Sequence, residues 1–139
     1  MLLSKSDTIP QVSAKAYRQN PSRQDYIGVL DLGTTSIRFI IFNLDGNVHA
    51  QAFQPIAQVY PYPGWVEEDL EEIWSAVILV IEGAIDQANI ESNQIMALGI
   101  TNQRESVAIW EKDSGRPMAN LIVWQDRRTS AQCRLLQDK

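Results

Sequence analysis

The sequence predicts a mixed α/β fold in which a three-stranded antiparallel meander is followed by a crossover helix and a further strand. Short apolar runs between turn residues, a long segment with helical spacing, and a later apolar run together predict this order. The 139 residues are enough for one domain or for a piece of a larger one. Because 45% of them are hydrophobic and 21% charged, we expect a folded protein.

Three apolar runs separated by turns predict the opening meander. Residues 26–30 are typical of a buried strand, residues 37–44 predict a second strand, and residues 47–53 a more exposed third. Asp45 and Gly46 are a strong hairpin signal, because glycine accepts positive φ at little cost.

The clearest helix is predicted for residues 70–88. Apolar residues recur there at helical spacing: Leu70, Ile73, Trp74, Val77, Ile81, Ala84, Ile85 and Ala88. Acidic residues crowd its start, namely Glu67, Glu68, Asp69, Glu71 and Glu72. We interpret this acidic run as a solvated helix N-terminus, where the helix dipole favours negative charge.

The second half of the chain predicts smaller elements. Residues 96–100 read as a buried strand, and residues 106–110 and 117–124 can pair as strands across a turn at 113–116. A polar helix is predicted from Asp126 to the end of the chain.

Composition excludes several classes of function. A net charge of -5 argues against a nucleic-acid partner, because no surplus of cations neutralises phosphates. Cys133 alone gives no internal disulfide, and with one histidine, His49, any metal site would use oxygen ligands. No apolar stretch approaches the roughly 20 residues of a membrane span, so we expect a cytoplasmic protein. We expect residues 1–25 to be a disordered leader; a transit peptide is the alternative.

The first polar segment, residues 31–38, follows the first strand. Asp31 at a strand end can hold a hydrated Mg²⁺, and Gly33 lets backbone approach a ligand closely. Arg38 suits phosphoryl oxygens. Hydroxyls and backbone N–H groups of a tight turn form a plausible anion cradle, here from Thr34, Thr35 and Ser36. A plain hairpin turn is an equally good interpretation of composition alone.

Two further polar segments follow apolar runs. Arg104 and Glu105, in residues 99–105, offer a donor fork and an acceptor that match a small polyol, although the spacing alone favours an exposed ion pair on a loop. Trp124, in residues 122–128, can wall a pocket or belong to the core. Asp126 and the arginines after it fit an ordinary helix start.

These segments resemble a known family. Residues 31–38 resemble the first phosphate motif of the sugar-kinase, actin and heat-shock ATPase superfamily. Residues 60–67, 99–105 and 122–125 narrow the resemblance to glycerol kinases of the FGGY carbohydrate kinase family. It implies an actin-like ATPase (ribonuclease H-like) fold, with residues 26–139 as part of the N-terminal FGGY domain. It also implies ATP-dependent, Mg²⁺-assisted phosphorylation of glycerol to sn-glycerol 3-phosphate.

The resemblance also implies site residues. On the nucleotide side, Asp31 would position the metal through water, Arg38 would neutralise charge at the transferred group, and the phosphates would contact Thr34, Thr35 and Ser36. On the substrate side, Arg104 and Glu105 would bind glycerol hydroxyls, while Trp124 would pack on the glycerol carbons.

Two departures from the family pattern accompany the resemblance. Leu32 stands where glycerol kinases have glutamine, and the expected general base and adenine-binding domain have no match in these 139 residues. We therefore expect an inactive N-terminal fragment with an unpaired sheet edge and an uncovered apolar face. An FGGY kinase for another polyol or a pentulose, or a non-catalytic actin- or heat-shock-like ATP-binding fragment, remain alternatives. Whether a full-length form is a homo-oligomer stays open.

Overall fold

The computed structural model describes residues 24–137, which form a mixed sheet and two helices. The elements are β1 (Tyr26–Leu32), β2 (Ser36–Asn43), β3 (Val48–Pro55), β4 (Glu67–Glu68), α1 (Leu70–Ala88), a 3₁₀ turn (Ser92–Gln94), β5 (Ile95–Thr101), β6 (Leu121–Ile122) and α2 (Ser130–Gln137). Apart from its last two residues, the predicted leader lies outside the described residues.

The main sheet has the strand order β3-β2-β1-β5. Neighbouring strands of the meander are antiparallel, whereas β1 and β5 are parallel. A parallel pair needs a long crossover, and α1 provides it between β3 and β5. The predicted meander, crossover helix and α/β class are confirmed.

The hydrophobic core lies between α1 and the meander. Alternate residues of β2, namely Ile37, Phe39 and Ile41, are at most 1% exposed and lie on the face that α1 covers. Val80 and Ala84 are the most deeply buried residues of α1. Every second residue of β2 is buried, whereas the apolar residues of α1 recur at helical spacing, which is the pattern that predicted this helix.

The predicted bounds of α1 are confirmed, and both ends have a local cause. The Asp69 carboxylate accepts hydrogen bonds from the backbone N–H groups of Glu71 and Glu72, at 2.8 and 3.4 Å. The helix stops at Asn89, whose φ of 52° is left-handed. Asparagine tolerates that conformation better than most residues do.

α1 leaves part of the sheet uncovered. β5 is an edge strand of the described sheet, and Leu98 and Ile100 on it are 54% and 64% exposed. Trp74 and Ile78 of α1 are 62% and 40% exposed. The expected unpaired edge and uncovered apolar face are thus present in residues 24–137.

The prediction that residues 106–110 and 117–124 pair across a turn is confirmed, but the strands are shorter than predicted. Val107 bridges Ile122 and Trp110 bridges Pro117, whereas only β6 forms a strand in residues 106–124, and it also pairs with β4. The reason is that the chain beyond Ile122 turns towards another segment. The Val123 N–H donates to the carbonyl of Val66, at 3.0 Å.

The predicted polar helix is present as α2, but its predicted start was wrong, because α2 begins at Ser130 and not at Asp126. The Asp126 carboxylate accepts from the backbone N–H of Val66 at 2.8 Å, and the Arg127 N–H donates to the Gly64 carbonyl at 2.7 Å. The same carboxylate accepts from the Arg128 N–H at 2.8 Å, so residues 126–128 are tied to the loop before α1 and lie outside α2. Neither helix of the described residues is long and apolar enough to cross a membrane.

Candidate active site

A cavity of about 300 Å³ opens where the parallel strands β1 and β5 end. Residues 31–34, residues 102–105 and Trp124 line it. Parallel strands present their carboxyl ends at one edge of a sheet, which is where α/β proteins bind ligands. The fold therefore brings together three polar segments that are far apart in sequence.

Five of the sequence-predicted site residues line this cavity: Asp31, Thr34, Arg104, Glu105 and Trp124. The other three, Thr35, Ser36 and Arg38, are not among the lining residues. Arg38 is exposed and lies opposite Asp31 in the register of β1 and β2, so both side chains share one sheet face.

A tight glycine turn, residues 33–35, connects β1 to β2 at the cavity wall. The Gly33 N–H donates to the Ser36 carbonyl at 3.1 Å. A Cβ atom on Gly33 would stand 2.8 Å from that carbonyl oxygen, closer than any real contact. Glycine is required because the backbone must pass so closely there.

Arg104 and Glu105, here called the 104–105 corner, present unpartnered charges. Both are exposed, and neither side chain has a hydrogen bond or ion pair to any described residue. Glu105 has a φ of 62°, a left-handed conformation that costs a non-glycine residue about 1 kcal/mol. Such backbone strain clusters at ligand sites, because the surrounding structure must hold it.

Trp124 closes the third side of the cavity and is 46% exposed. Its indole Nε1–H donates to the Thr34 hydroxyl oxygen at 3.0 Å, and its backbone N–H donates to the Ser106 Oγ at 3.1 Å. The indole is therefore held against the glycine turn with much of its surface still open.

Sequence reasoning missed Glu68, which is 0% exposed. Its carboxylate accepts from the Gln103 Nε2 at 2.7 Å and from the Gln58 Nε2 at 3.4 Å. Burial raises the pKa of Glu68, the two amide hydrogen bonds oppose that rise, and the nearby charge of Glu72 adds to it. The interpretation of the acidic run as a solvated N-terminus was thus wrong for this residue. Only strand alternation after the buried Val66 could have indicated it.

A second charged cluster lies away from the cavity. Arg128 donates to Glu67 at 2.7 Å and to Asp126 at 2.9 Å, and its guanidinium lies 3.7 Å from the centre of the Trp65 ring. The hydrogen bond from Arg128 is the main cause that lowers the pKa of Asp126 to about 2. This cluster braces the loop before α1 against the segment before α2.

The donor set of the cavity suits a hydrated cation. Asp31 and Glu105 are its carboxylates, and residues 24–137 hold no group of three or more metal-ligating side chains. Mg²⁺ keeps several waters and completes its shell with substrate phosphates, so a single carboxylate such as Asp31 beside an open turn fits it.

Sequence comparison decides the family. The sequence model of the N-terminal domain of the FGGY family of carbohydrate kinases matches residues 26–139. This chain belongs to that family. Among curated relatives, this FGGY chain is 53% identical over 116 residues to a glycerol kinase of Petrotoga mobilis and 46% identical over 116 residues to one of Haloferax volcanii. Each match covers 84% of this chain and 23% of the relative.

Solved structures support the same family fold. Glycerol kinase of Plasmodium falciparum, crystallised with ADP, matches with a TM-score of 0.75 and 27% identity, over 84% of this chain and 23% of that one. Xylulose kinase of Rhodospirillum rubrum matches with a TM-score of 0.70 and 25% identity, over 81% and 23%. The chain thus spans about a quarter of the length of its relatives and has the actin-like fold of FGGY kinases.

Proposed function

We propose that this chain forms part of a cytoplasmic enzyme that transfers the terminal phosphoryl group of ATP to glycerol, giving sn-glycerol 3-phosphate. One observation supports the proposal above all: the glycine turn and the 104–105 corner line the same cavity. Phosphoryl transfer depends on positioning and on charge stabilisation, and this cavity offers groups for both.

The glycine turn would hold the nucleotide phosphates. Gly33 lets backbone approach them, and hydroxyl and N–H groups would contact them from Thr34, Thr35 and Ser36. Asp31 would hold Mg²⁺ through water, and the metal when bound supplies charge for the phosphates. Arg38, on the same sheet face as Asp31, would neutralise charge at the transferred group after a side-chain rotation towards the cavity.

The 104–105 corner would hold glycerol. The Arg104 guanidinium offers several N–H donors in a fixed plane, and the Glu105 carboxylate accepts from hydroxyl groups. Both charges are unpartnered among the described residues, so a polyol would meet donors and acceptors that are already free. The open face of Trp124 would cover the carbon atoms.

Residues 26–139 would supply only part of the catalytic cleft. We expect the isolated chain to show no glycerol kinase turnover, because it spans 23% of the length of its relatives. Coupled detection of ADP release from the purified chain tests this expectation. Turnover at ordinary enzyme rates would contradict it.

The functional test is a chimera in which residues 26–139 replace the matching segment of the Petrotoga mobilis glycerol kinase. We expect this chimera to phosphorylate glycerol in preference to other polyols and to pentuloses. A pentulose as the best substrate would assign these residues to another FGGY activity. An inactive but folded chimera would count against the proposal as a whole.

Arg104→Ala in the chimera tests the substrate side. We expect the KM for glycerol to rise by about 10- to 100-fold, the effect of losing a charged hydrogen bond, with a smaller rise in the KM for ATP. Arg116→Ala is the matched control, since Arg116 lies outside the cavity lining. A larger rise in the KM for ATP than in the KM for glycerol would contradict the assignment of this corner.

A further inference from the structure

A closed loop of hydrogen bonds connects the three segments around the cavity. The Gln103 Nε2 donates to the Gly33 carbonyl at 3.2 Å, and the Gln103 Oε1 accepts from the Ser106 hydroxyl at 2.9 Å. Ser106 Oγ accepts from the Trp124 backbone N–H. The Trp124 indole N–H then donates to the Thr34 hydroxyl oxygen in the glycine turn, which closes the loop. Every polar atom in this loop keeps its proper role as donor or acceptor.

Glu68 fixes the orientation of the Gln103 amide. Its carboxylate and the Gly33 carbonyl can only accept, so the two hydrogens of the Gln103 Nε2 must point at them. A flipped amide would place Oε1 against two acceptors. Glu68 forms no salt bridge within residues 24–137 and is 0% exposed, so these amide contacts satisfy a buried carboxylate.

We propose that Gln103 is a positioning residue that holds the glycine turn in register with the 104–105 corner, and that Glu68 acts through the Gln103 amide. The proposal rests on the proposed function, since it assigns the phosphate and the polyol to those two places. Gln103 directly precedes the corner and reaches the turn with its side chain, so it sets the distance between them. A misplacement of about 1 Å costs about 100-fold in rate.

Kinetics of the chimera provide the first test. We expect Gln103→Leu to lower kcat by about 100-fold, while the KM values for glycerol and for ATP change only a few-fold, because each half of the cavity still binds. Gln58→Leu is the matched control. It removes the weaker 3.4 Å contact to the same carboxylate and the contacts of Gln58 with Gln125 and Tyr60, but no bond of the loop, and it should leave kcat within about two-fold.

Variants of Glu68 separate positioning from stability. Glu68→Gln keeps one carbonyl oxygen for the Gln103 amide and should retain most of kcat, whereas Glu68→Leu should resemble Gln103→Leu. Equal kcat losses in Gln58→Leu and Gln103→Leu would overturn the proposal. So would an unchanged kcat in a folded Gln103→Leu chimera.

A spectroscopic test is independent of activity. Tryptophans are replaced by 5-fluorotryptophan in the 139-residue chain and in the chimera, and Trp124→Phe assigns the fluorine signal of Trp124. Gln103→Leu should shift that signal through Ser106 and the glycine turn, and Gln58→Leu should not. If Gln103→Leu shifts the Trp124 signal although the chimera with unchanged residues 26–139 is inactive, the connection stands and the proposed function is rejected. If Gln103→Leu causes neither a shift nor a loss of kcat in an active chimera, only the connection is rejected.

Discussion

Two regions of this chain are stabilised by different interactions. The meander core, comprising Ile37, Phe39, Ile41, Val80 and Ala84, is apolar and held by packing between β2 and α1. The polar junction comprises Gly33, Thr34, Glu68, Gln103, Ser106 and Trp124, and hydrogen bonds between side chains and loops hold it. Packing tolerates any apolar neighbour of the right size, whereas the junction needs particular donors opposite particular acceptors.

The largest effect on stability is expected in the meander core. Phe39 is 1% exposed, and Phe39→Ala should lower the free energy of unfolding of the chain by about 3–5 kcal/mol. Phe53→Ala is the control, because Phe53 is 68% exposed and its loss should cost less than about 0.5 kcal/mol. Urea denaturation measures both, and similar losses would contradict the assignment of the core.

A smaller effect is expected at the charged cluster beside the junction. Asp126→Asn removes the charge that pairs with Arg128 and weakens the acceptor for the Val66 N–H, which should cost about 2 kcal/mol. Asp113→Asn, on an exposed turn, is the control and should change little. If the Asp113→Asn variant lost as much stability, Asp126 would have no special role.

The pH dependence of stability follows from the same aspartate. The pKa of Asp126 is lowered from 3.8 to about 2, so protonation favours the unfolded chain. Its stabilising contribution is complete well above pH 3.8 and is lost as the pH falls through that value towards 2. We expect Asp126→Asn to flatten the fall in stability over this window, and an unchanged slope would contradict that role.

The smallest effect on stability is expected at the 104–105 corner. Glu105→Gly should raise the free energy of unfolding by up to about 1 kcal/mol, because it relieves a φ of 62°. The gain is bounded by the entropy that glycine adds to the unfolded chain. In the chimera it should also raise the KM for glycerol.

Asn89→Gly provides the comparison for Glu105→Gly. Asn89 also has a left-handed φ, at 52°, but it ends α1 away from the cavity. This variant should leave the KM for glycerol unchanged. If the glycerol KM responds to both variants, or to neither, the left-handed conformation of Glu105 is not linked to glycerol binding.

The contrast between the two regions explains what the sequence could predict. Apolar runs between turn residues and helical spacing in α1 are local patterns, so the meander and the bounds of α1 were predicted. The burial of Glu68 depends on Gln103, which lies 35 residues away in sequence, and no local pattern encodes that pairing. Likewise, Asp126, where the second helix was predicted to begin, bonds instead to Val66, 60 residues away in sequence.

The candidate site, too, was predicted only where local patterns indicate it. The polar segments after β1 and β5 could be recognised because strand ends in parallel sheets gather at one edge. That Thr34 and Trp124 lie within hydrogen-bond distance could not be predicted, since it depends on how residues 106–124 fold back on the sheet. Short hairpin signals there suggested longer strands than the long-range bonds allow.

The most direct test of the account is a crystal structure of the chimera with glycerol and a non-hydrolysable ATP analogue. The account predicts glycerol hydroxyls within hydrogen-bond distance of Arg104 and Glu105, with the terminal phosphate of the analogue at the glycine turn. Glycerol bound elsewhere, with the 104–105 corner facing bulk water, would contradict it.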